Sequence, residues 1–194
     1  MKMKVIVVKT IEDLQRLKEV KSDKVVVILN NDLDLKDKNF KSINMSDTSV
    51  ILYGRGHTIK NMTIDGESTI GMFSETKDLY VRNITFDSAK ITGEYEVGIL
   101  AGSVNGKLDI KGSLFHGSVS GKTFVGSICG LAENINIENT DFFTEVKGEE
   151  LVGTVVGLTR EYKSKRIGDF CSLDSDIHYG DKEYGIVTGR ILKK

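Results

Sequence analysis

Several residue types are absent or scarce in this 194-residue chain. It has no proline, no tryptophan and only two cysteines, Cys129 and Cys171. Two cysteines are too few for a disulfide framework, so we expect both to be reduced and largely buried thiols. Aromatic residues make up 7% of the chain. Polysaccharide-binding grooves use aromatic stacking, and this scarcity disfavours that class of site.

An excess of charge of either sign is also missing. Lysine and arginine number 27 against 28 aspartates and glutamates, for a net charge of −1. This balance disfavours a general nucleic-acid or membrane-surface binder. The first apolar run, residues 5–8, is shorter than the roughly 7–15 residues of a signal peptide, and no run approaches the roughly 18 residues of a membrane span. We therefore predict a cytoplasmic protein.

Glycine, in contrast, is abundant and falls in a repeated motif. The copies are VGILAG (97–102), VGSICG (125–130), VGTVVG (152–157) and YGIVTG (184–189), with a degenerate copy, IGMFSE, at 70–75. Their second residues, at 71, 98, 126, 153 and 185, are 27, 28, 27 and 32 residues apart. A period in the twenties is typical of a solenoid, in which each unit buries its apolar side against its neighbours.

The contents of the units predict three short strands per coil. Alternation within the motif places one residue of each copy inside, as a single internal ladder of Phe73, Leu100, Ile128, Val155 and Val187. A second strand recurs as LYVRNITF (79–86), LDIKGSLF (108–115) and INIENTDF (135–142), with TIKNMTI (58–64) as an earlier relative. Asparagine or glycine recurs there, and we expect equivalent turns at Asn61, Asn83, Gly112 and Asn139. A third segment ends in glycine. This pattern predicts a parallel β-helix of five or six coils.

These units resemble the GLUG-motif repeats of right-handed β-helix proteins, which read roughly VGGLVG…G.I.NS…G.V.G. The lead-in, IEDLQRLKEV followed by VVVILNNDLDL, FKSI and GRGHTIKNMTI, is similar to the usual start of that family, and the resemblance covers about residues 10 to 190. It implies a single-stranded right-handed parallel β-helix with the pectate-lyase-like superfold. Its motifs are glycine-rich and structural, so they are specific for the fold and only a weak indication of activity.

We therefore predict an all-β chain that forms one domain. Residues 1–46 supply an N-terminal strand–helix–strand cap and the first coil, and residues 47–194 supply coils of about 27 residues with an irregular last coil. Thr10 and Asp13 form an acidic variant of a capping box. Ile11, Leu14, Leu17 and Val20 follow at helical spacing, which predicts a short helix over 11–20 that covers the first coil, with a partner-binding amphipathic helix as the alternative.

Catalytic patterns are hard to find. No pair of carboxylates stands apart from ordinary surface charge, and His57, His116 and His178 fall in different coils without cysteine at metal-ligand spacing. We expect no catalytic residue, no metal and no cofactor, and we predict that the chain is not an enzyme. The alternative is a carbohydrate-binding or polysaccharide-cleaving β-helix protein.

Two segments near the C-terminus are candidate interaction sites. The longer last interval predicts a loop with four basic residues, which either bind an acidic protein surface or form an ordinary solvated turn: Arg160, Lys163, Lys165 and Arg166. The apolar end of the chain predicts a homodimer, with a capped monomer as the alternative, through Tyr184, Ile186, Val187, Ile191 and Leu192. The function that we predict is a non-enzymatic protein-binding module, an inhibitor or adaptor of phage or mobile-element origin that acts on a cytosolic host protein.

Overall fold

The structure, a computed structural model, describes residues 2–169, 172–173, 184–185 and 188–191. In chain order it contains β1 (Met3–Val8), helix α1 (Ile11–Gln15), a 3₁₀ turn (Arg16–Glu19), β2 (Lys24–Leu29), β3 (Leu33–Asp34), β4 (Ile43–Tyr53), β5 (Thr58–Lys60), β6 (Thr63–Asp65), β7 (Ser68–Ile70), β8 (Phe73–Arg82), β9 (Thr85–Thr92), β10 (Tyr95–Val97), β11 (Ala101–Lys111), β12 (Leu114–Ser120), β13 (Thr123–Gly126), β14 (Cys129–Lys147), β15 (Glu150–Gly153), β16 (Val156–Asp169), β17 (Ser172–Leu173), β18 (Tyr184–Gly185) and β19 (Thr188–Ile191).

These strands form an all-β parallel solenoid of about five turns. A long sheet begins with β1, β2, β4, β8, β11 and β14, and β16 pairs with β14; we call the outer surface of these strands the first face. Strands β3, β5, β9, β12 and the second half of β14 line the second face. A separate five-stranded sheet, β7, β10, β13, β15 and β18, lines the third. The coil-to-coil pairing is parallel on each face.

The core is built from every second residue of these strands, as the alternation in the sequence predicts. On the second face, Phe86, Phe115 and Phe142 are fully buried and stack across three coils. Their ring centroids are 5.4 and 5.6 Å apart, and the rings are within 8° and 15° of parallel. Offset aromatic stacking of this kind contributes beyond the area that the rings bury, so this ladder fixes the register of the second face.

Close backbone approaches explain the repeated glycines. A Cβ atom on Gly98 would lie 2.5 Å from the main-chain nitrogen of Cys129 in the next coil. A Cβ on Gly130 would lie 2.4 Å from the carbonyl carbon of Glu96. Glu96 itself adopts a left-handed backbone, with φ of 51°, as do its counterparts in the neighbouring coils, Thr69, Phe124 and Leu151. The motif therefore repeats because its two glycines let the third face pack backbone against backbone.

The internal ladder predicted from the motif is confirmed in its burial and wrong in its register. Phe73, Leu100, Ile128 and Val155 are fully buried, and Val187 lies outside the described residues. However, Phe73 pairs with Ala101, which pairs with Cys129. The degenerate copy has one residue fewer between Ile70 and Phe73 than the next copy has between the paired residues Val97 and Ala101. This missing residue shifts the alignment by one position.

The predicted asparagine turns are also confirmed in part. Asn83, Gly112 and Asn139 follow residues paired in successive coils, and their φ values are 51°, 60° and 49°. Asn61 occupies a different corner, because the preceding residue, Lys60, pairs with Asp87. It lies opposite Ser88, and both have a φ of 55°. Asparagine tolerates the left-handed conformation at either corner, so its presence alone does not identify the turn.

The N-terminal helix is shorter than the predicted span of 11–20. Helix α1 ends at Gln15, where a 3₁₀ turn continues to Glu19. The capping box is confirmed, because Thr10 Oγ1 accepts the Asp13 main-chain N–H at 3.2 Å and the Asp13 carboxylate accepts the Thr10 N–H at 3.1 Å. Leu14 and Leu17 are fully buried. None of the helical segments in the described residues could cross a lipid bilayer.

We expect Thr76→Val to raise the free energy of unfolding by about 1 kcal/mol, because it removes a buried polar group without a partner. Thr76 is fully buried, and its hydroxyl has no hydrogen-bond partner among the described residues. Urea denaturation of wild type and variant measures the change. The matched control is Thr140→Val, since the buried Thr140 hydroxyl donates to the carbonyl of Glu138 at 3.0 Å. The control should lose about 1 kcal/mol; an equal loss at Thr76 would contradict the assignment.

Candidate functional site

In-register pairing arranges the first face into straight rows of outward side chains. Strands in this sheet are about 4.8 Å apart, so paired residues become neighbours along the rod. One row consists of Val5, Val26, Ile51, Tyr80, Asp109, Asn136 and Lys163. The adjacent row consists of Val7, Ile28, Tyr53, Arg82, Lys111, Glu138 and Lys165. Both rows are apolar toward the N-terminal coil and charged toward the C-terminal coil.

The apolar half of this face is open to solvent. We define it as Met3 together with the apolar members of the two rows, Val5, Val7, Val26, Ile28, Ile51, Tyr53 and Tyr80. Four of them are among the most exposed large apolar residues described: Met3 at 59%, Val5 at 57%, Val7 at 48% and Tyr53 at 42%. The other four are partly buried. Isolated exposed apolar residues are ordinary, but a contiguous patch is typical of an interaction site.

The charged half is organised around Asp109, whose side chain is only 6% exposed. Its carboxylate lies 2.7 Å from Arg82 Nη2 and 3.0 Å from Lys107 Nζ, and it accepts the Asn136 side-chain amide at 3.1 Å. The Lys107 ammonium also lies 5.9 Å from the centre of the Tyr80 ring. Burial raises the pKa of Asp109, but the contacts with Lys107, Asn136 and Arg82 outweigh it and hold the pKa below its ordinary value.

We expect Asp109→Asn to lower the free energy of unfolding by about 2 kcal/mol at neutral pH, because Arg82 and Lys107 would lose their buried counter-charge. Both cations are partly exposed, which keeps the effect below that of a fully buried pair. A carboxylate whose pKa is depressed by folding stabilises above its unfolded pKa and loses that contribution as the pH falls through the folded pKa. The difference between wild type and variant should therefore shrink below about pH 3.8. Denaturation at pH 7, 4 and 2.5 measures it, and a pH-independent difference would contradict the ion-pair assignment.

The four basic residues predicted for a loop lie on a strand instead. Strand β16 pairs with β14 from Val156 to Asp169, and Arg160, Lys163, Lys165 and Arg166 are all exposed on it. Residues of β14 pair with residues 27 positions later, from Cys129 and Val156 to Val146 and Leu173. In the next strand, however, Val152 pairs with Tyr184, which is 32 positions later. The additional residues therefore fall between positions 173 and 184, which is why the loop prediction was wrong.

The four basic side chains have different surroundings. Lys163 and Lys165 continue the two rows of the first face, and Lys165 pairs with Glu138. The hydrogen bond and charge of Lys111 lower the pKa of Glu138, and the charges of Lys165 and Arg166 lower it further. Arg160 Nε lies 3.8 Å from Glu133 Oε1, and Arg166 occupies the left-handed corner after Lys165. The structure thus brings two of the four onto the first face.

The predicted dimer residues are only partly described. Tyr184 lies on β18, which pairs with β15, and Ile191 lies on β19, which pairs with β16. Ile186, Val187 and Leu192 lie outside the described residues. The homodimer stays a prediction.

The second face carries histidine–aspartate pairs that the sequence did not reveal. His57 Nδ1 lies 3.1 Å from Asp32 Oδ1, and His116 Nδ1 lies 2.8 Å from Asp87 Oδ1. The hydrogen bond with His116 lowers the pKa of Asp87. Each pair joins residues more than 20 positions apart, so only the coil register could have predicted it. No set of three potential metal ligands comes together in the described ranges.

The two cysteines can be assessed only at Cys129. It is fully buried as a free thiol, and burial raises its pKa. A thiol protonated and excluded from solvent is not a nucleophile. Cys171 lies outside the described residues.

Comparisons with known proteins give limited matches. No protein-family model matches the chain. Halomucin of Haloquadratum walsbyi is 40% identical over 85 residues, a match that covers 42% of this chain and 1% of halomucin. The crystal structure of a candidate immunoglobulin A1 protease from Bacteroides ovatus is similar with a TM-score of 0.49 and 17% identity, over 94% of this chain and 81% of that one.

One prediction does not stand after this comparison. We predicted that the chain is not an enzyme, and the solved structure that it resembles is that of a candidate protease. The prediction is withdrawn. At 17% identity and a TM-score of 0.49, the likeness assigns no activity to the chain.

Proposed function

We propose that this chain is a protein-binding module that presents its first face to the partner. The observation that carries the proposal is the contiguous apolar half, from Met3 to Tyr80 along the rows. Burial of apolar surface is the dominant favourable term in most protein–protein association, and tyrosine is enriched among the residues that contribute most at interfaces. Tyr53 and Tyr80 are the anchors that we expect to lie in the centre of the contact.

The charged half would guide the approach of the partner. Lys163 and Lys165 extend the rows beyond Asp109, and Arg160 and Arg166 flank them as exposed cations. Exposed charges mainly change the rate of association, and salt screens them. An acidic surface on the partner should therefore meet the β16 end of the first face while its apolar surface meets the other end.

We also propose that the repeats are GLUG-motif units in a right-handed coil and that the N-terminal helix covers the first coil. The close glycine approaches of the VG…G units support the resemblance to GLUG-motif repeats, which implies the right-handed coil, and the buried Leu14 and Leu17 support the covering helix. A rigid solenoid with an open sheet face suits an inhibitor or adaptor of a cytosolic host protein. The homodimer through the last coil, with a capped monomer as the alternative, is part of the same proposal.

The test is a capture experiment with matched variants. Crosslinking and mass spectrometry with the native host lysate would identify the partner, and its affinity would then be measured with purified protein. Ile51→Lys with Tyr53→Lys should weaken binding at least tenfold, because two charges would enter the apolar half. The control is Phe143→Lys, an aromatic of similar exposure on the second face, 40% against 42%.

Each result has a consequence for the proposal. Serine in place of Arg160, Lys163, Lys165 and Arg166 should slow association and reduce its salt dependence. Equal affinity of the Ile51/Tyr53 variant and the Phe143 variant would overturn the first face as the binding surface. The carbohydrate alternative predicts instead a response on a glycan array or the release of reducing sugar from a polysaccharide.

A further inference from the structure

We propose that the outer edge of β1 takes up one additional strand, an extended segment of the protein partner in which apolar and acidic residues alternate. This inference rests on the protein-binding function proposed above. It names the main-chain contacts that would hold the partner and the chemistry of the segment that would be recognised.

The first step concerns the main chain of β1. Strand β1 is an edge strand of the long sheet, and within the described residues it pairs with β2. The N–H of Lys24 donates to the carbonyl of Lys2 at 3.1 Å, and the N–H of Asn30 donates to that of Val8 at 2.9 Å. The main-chain N–H and C=O groups of the even-numbered residues therefore point toward β2. Because main-chain groups alternate along a strand, Met3, Val5 and Val7 direct theirs away from β2, toward the outer edge.

The second step concerns the outward side chains. Val5 and Val7 are about half exposed, and each begins a row of the first face. A strand added beside β1 would extend both rows by one coil spacing. Its outward residues would then contact Val5 and Val7, so apolar side chains are favoured at every second position of the added strand.

The third step concerns charge. Residues 2–9 carry three lysines and no acidic residue, and Lys2, Lys4 and Lys9 are all exposed. Side chains alternate along β1, so the Lys4 side chain points to the side opposite to the apolar rows, as the side chains of Ile6 and Val8 do. An inward-facing lysine on an edge strand discourages pairing with an apolar strand. It pairs well with a carboxylate directly across, which selects a partner strand with acidic residues on that side.

Two other occupants fit these observations less well. A second copy of β1 would bring six lysines together without a compensating carboxylate from either strand, and like charges across a strand pair are destabilising. A membrane surface would accept lysines beside apolar residues, but lipid supplies no regular partner for the main-chain groups of a strand edge. An extended acidic and apolar polypeptide satisfies the backbone, the rows and the lysines at once.

The experiment uses the full chain and a fluorescein-labelled, end-capped peptide that alternates valine and glutamate over seven residues. Fluorescence anisotropy should show saturable binding. Two further peptides carry N-methyl groups on all valines or on all glutamates. Main-chain pairing to one edge requires that one of these loses binding at least tenfold while the other retains it, since only one set of N–H groups can face β1. A peptide with lysine in place of glutamate should not bind.

Protein variants complete the test. Lys4→Glu should lose the glutamate peptide and gain the lysine peptide, whereas Lys18→Glu, an exposed lysine on the 3₁₀ turn, should bind as wild type does. Equal binding of both N-methylated peptides, or binding indifferent to the charge at position 4, would overturn the inference. So would tighter association with phosphatidylserine vesicles than with the peptide, or a concentration-dependent dimer that Lys4→Glu strengthens.

The two proposals can fail separately. Capture of a partner that depends on Ile51 and Tyr53, without any peptide binding, would remove the added strand and leave the first face as the interaction surface. Charge-dependent peptide binding, with a partner that ignores the Ile51/Tyr53 variant, would retain the edge and remove the proposed face.

Discussion

Replacing Ile128 with aspartate is expected to abolish cooperative folding. Ile128 is fully buried between two coils: its carbonyl accepts the N–H of Leu100 at 3.0 Å, and its N–H donates to the carbonyl of Val155 at 3.1 Å. A carboxylate there would have no cation within the apolar interior. The penalty of several kcal/mol is comparable with the 5–15 kcal/mol by which typical domains are stable.

Far-ultraviolet circular dichroism and urea denaturation measure this effect. The matched control is Ile51→Asp, which makes the same substitution on the outward row of β4, where the carboxylate reaches water. We expect the control to fold with a loss of about 1 kcal/mol. If Ile128→Asp unfolds at the same urea concentration as the control, the inward placement of Ile128 is incorrect.

Replacing Gly130 with alanine should be almost as damaging, although it adds one methyl group. That methyl would lie 2.4 Å from the carbonyl carbon of Glu96 and 2.5 Å from the carbonyl oxygen of Phe124, both main-chain atoms held by the sheet of the third face. Neither can move without breaking the pairing of neighbouring coils. We expect a loss of about 3 kcal/mol, at the upper end of the range for overpacking.

Gly112→Asn is the control for the glycine prediction. A Cβ at Gly112 would have no neighbour within 4 Å, and its φ of +60° is close to those of Asn83 and Asn139 in the adjoining coils. Asparagine tolerates this conformation, so the change should stay within about 1 kcal/mol. Thermal denaturation of both variants checks the contrast. Similar melting temperatures would show that close packing is not why the motif contains glycine.

The period, the strand-and-turn units and most of the core could be predicted from the sequence, because each depends on spacing along the chain. Register depends on pairing between coils, and there single residues misled the prediction. One residue fewer after Ile70 displaced Phe73, and a shared tolerance for left-handed backbone placed Asn61 at the wrong corner. We predicted a loop at the basic residues from Arg160 onward because the sequence alone does not show where in the longer interval the additional residues lie. Only the pairing of the strands locates them.

The candidate site shows the same limit. The alternation of Val5 and Val7 with Ile6 and Val8 could be read directly, and it indicates one outward apolar side on β1. The alignment of Val5 with Ile51 and Tyr80, and that of Val7 with Tyr53, requires the pairing of β1, β2, β4 and β8. The histidine–aspartate pairs of the second face, and the contacts of Asp109 with Arg82 and Asn136, also join neighbouring coils. Contacts between coils therefore carry the binding chemistry, and a single sequence does not contain them explicitly.

The parallel pairing of each coil with the next gives the rod a fixed step in length for every coil. Val97 and Val125 are paired 28 positions apart, so a duplicated segment such as 97–124 would form one more coil with its own closed set of pairings. It would add one charged coil to the first face, because 97–124 contains Asp109 and Lys111, and it would move Lys163 and Lys165 about 4.8 Å farther from the apolar half. Evolution or an engineer can thus adjust the distance between two contact regions in fixed steps, which a globular core that packs in all directions does not allow.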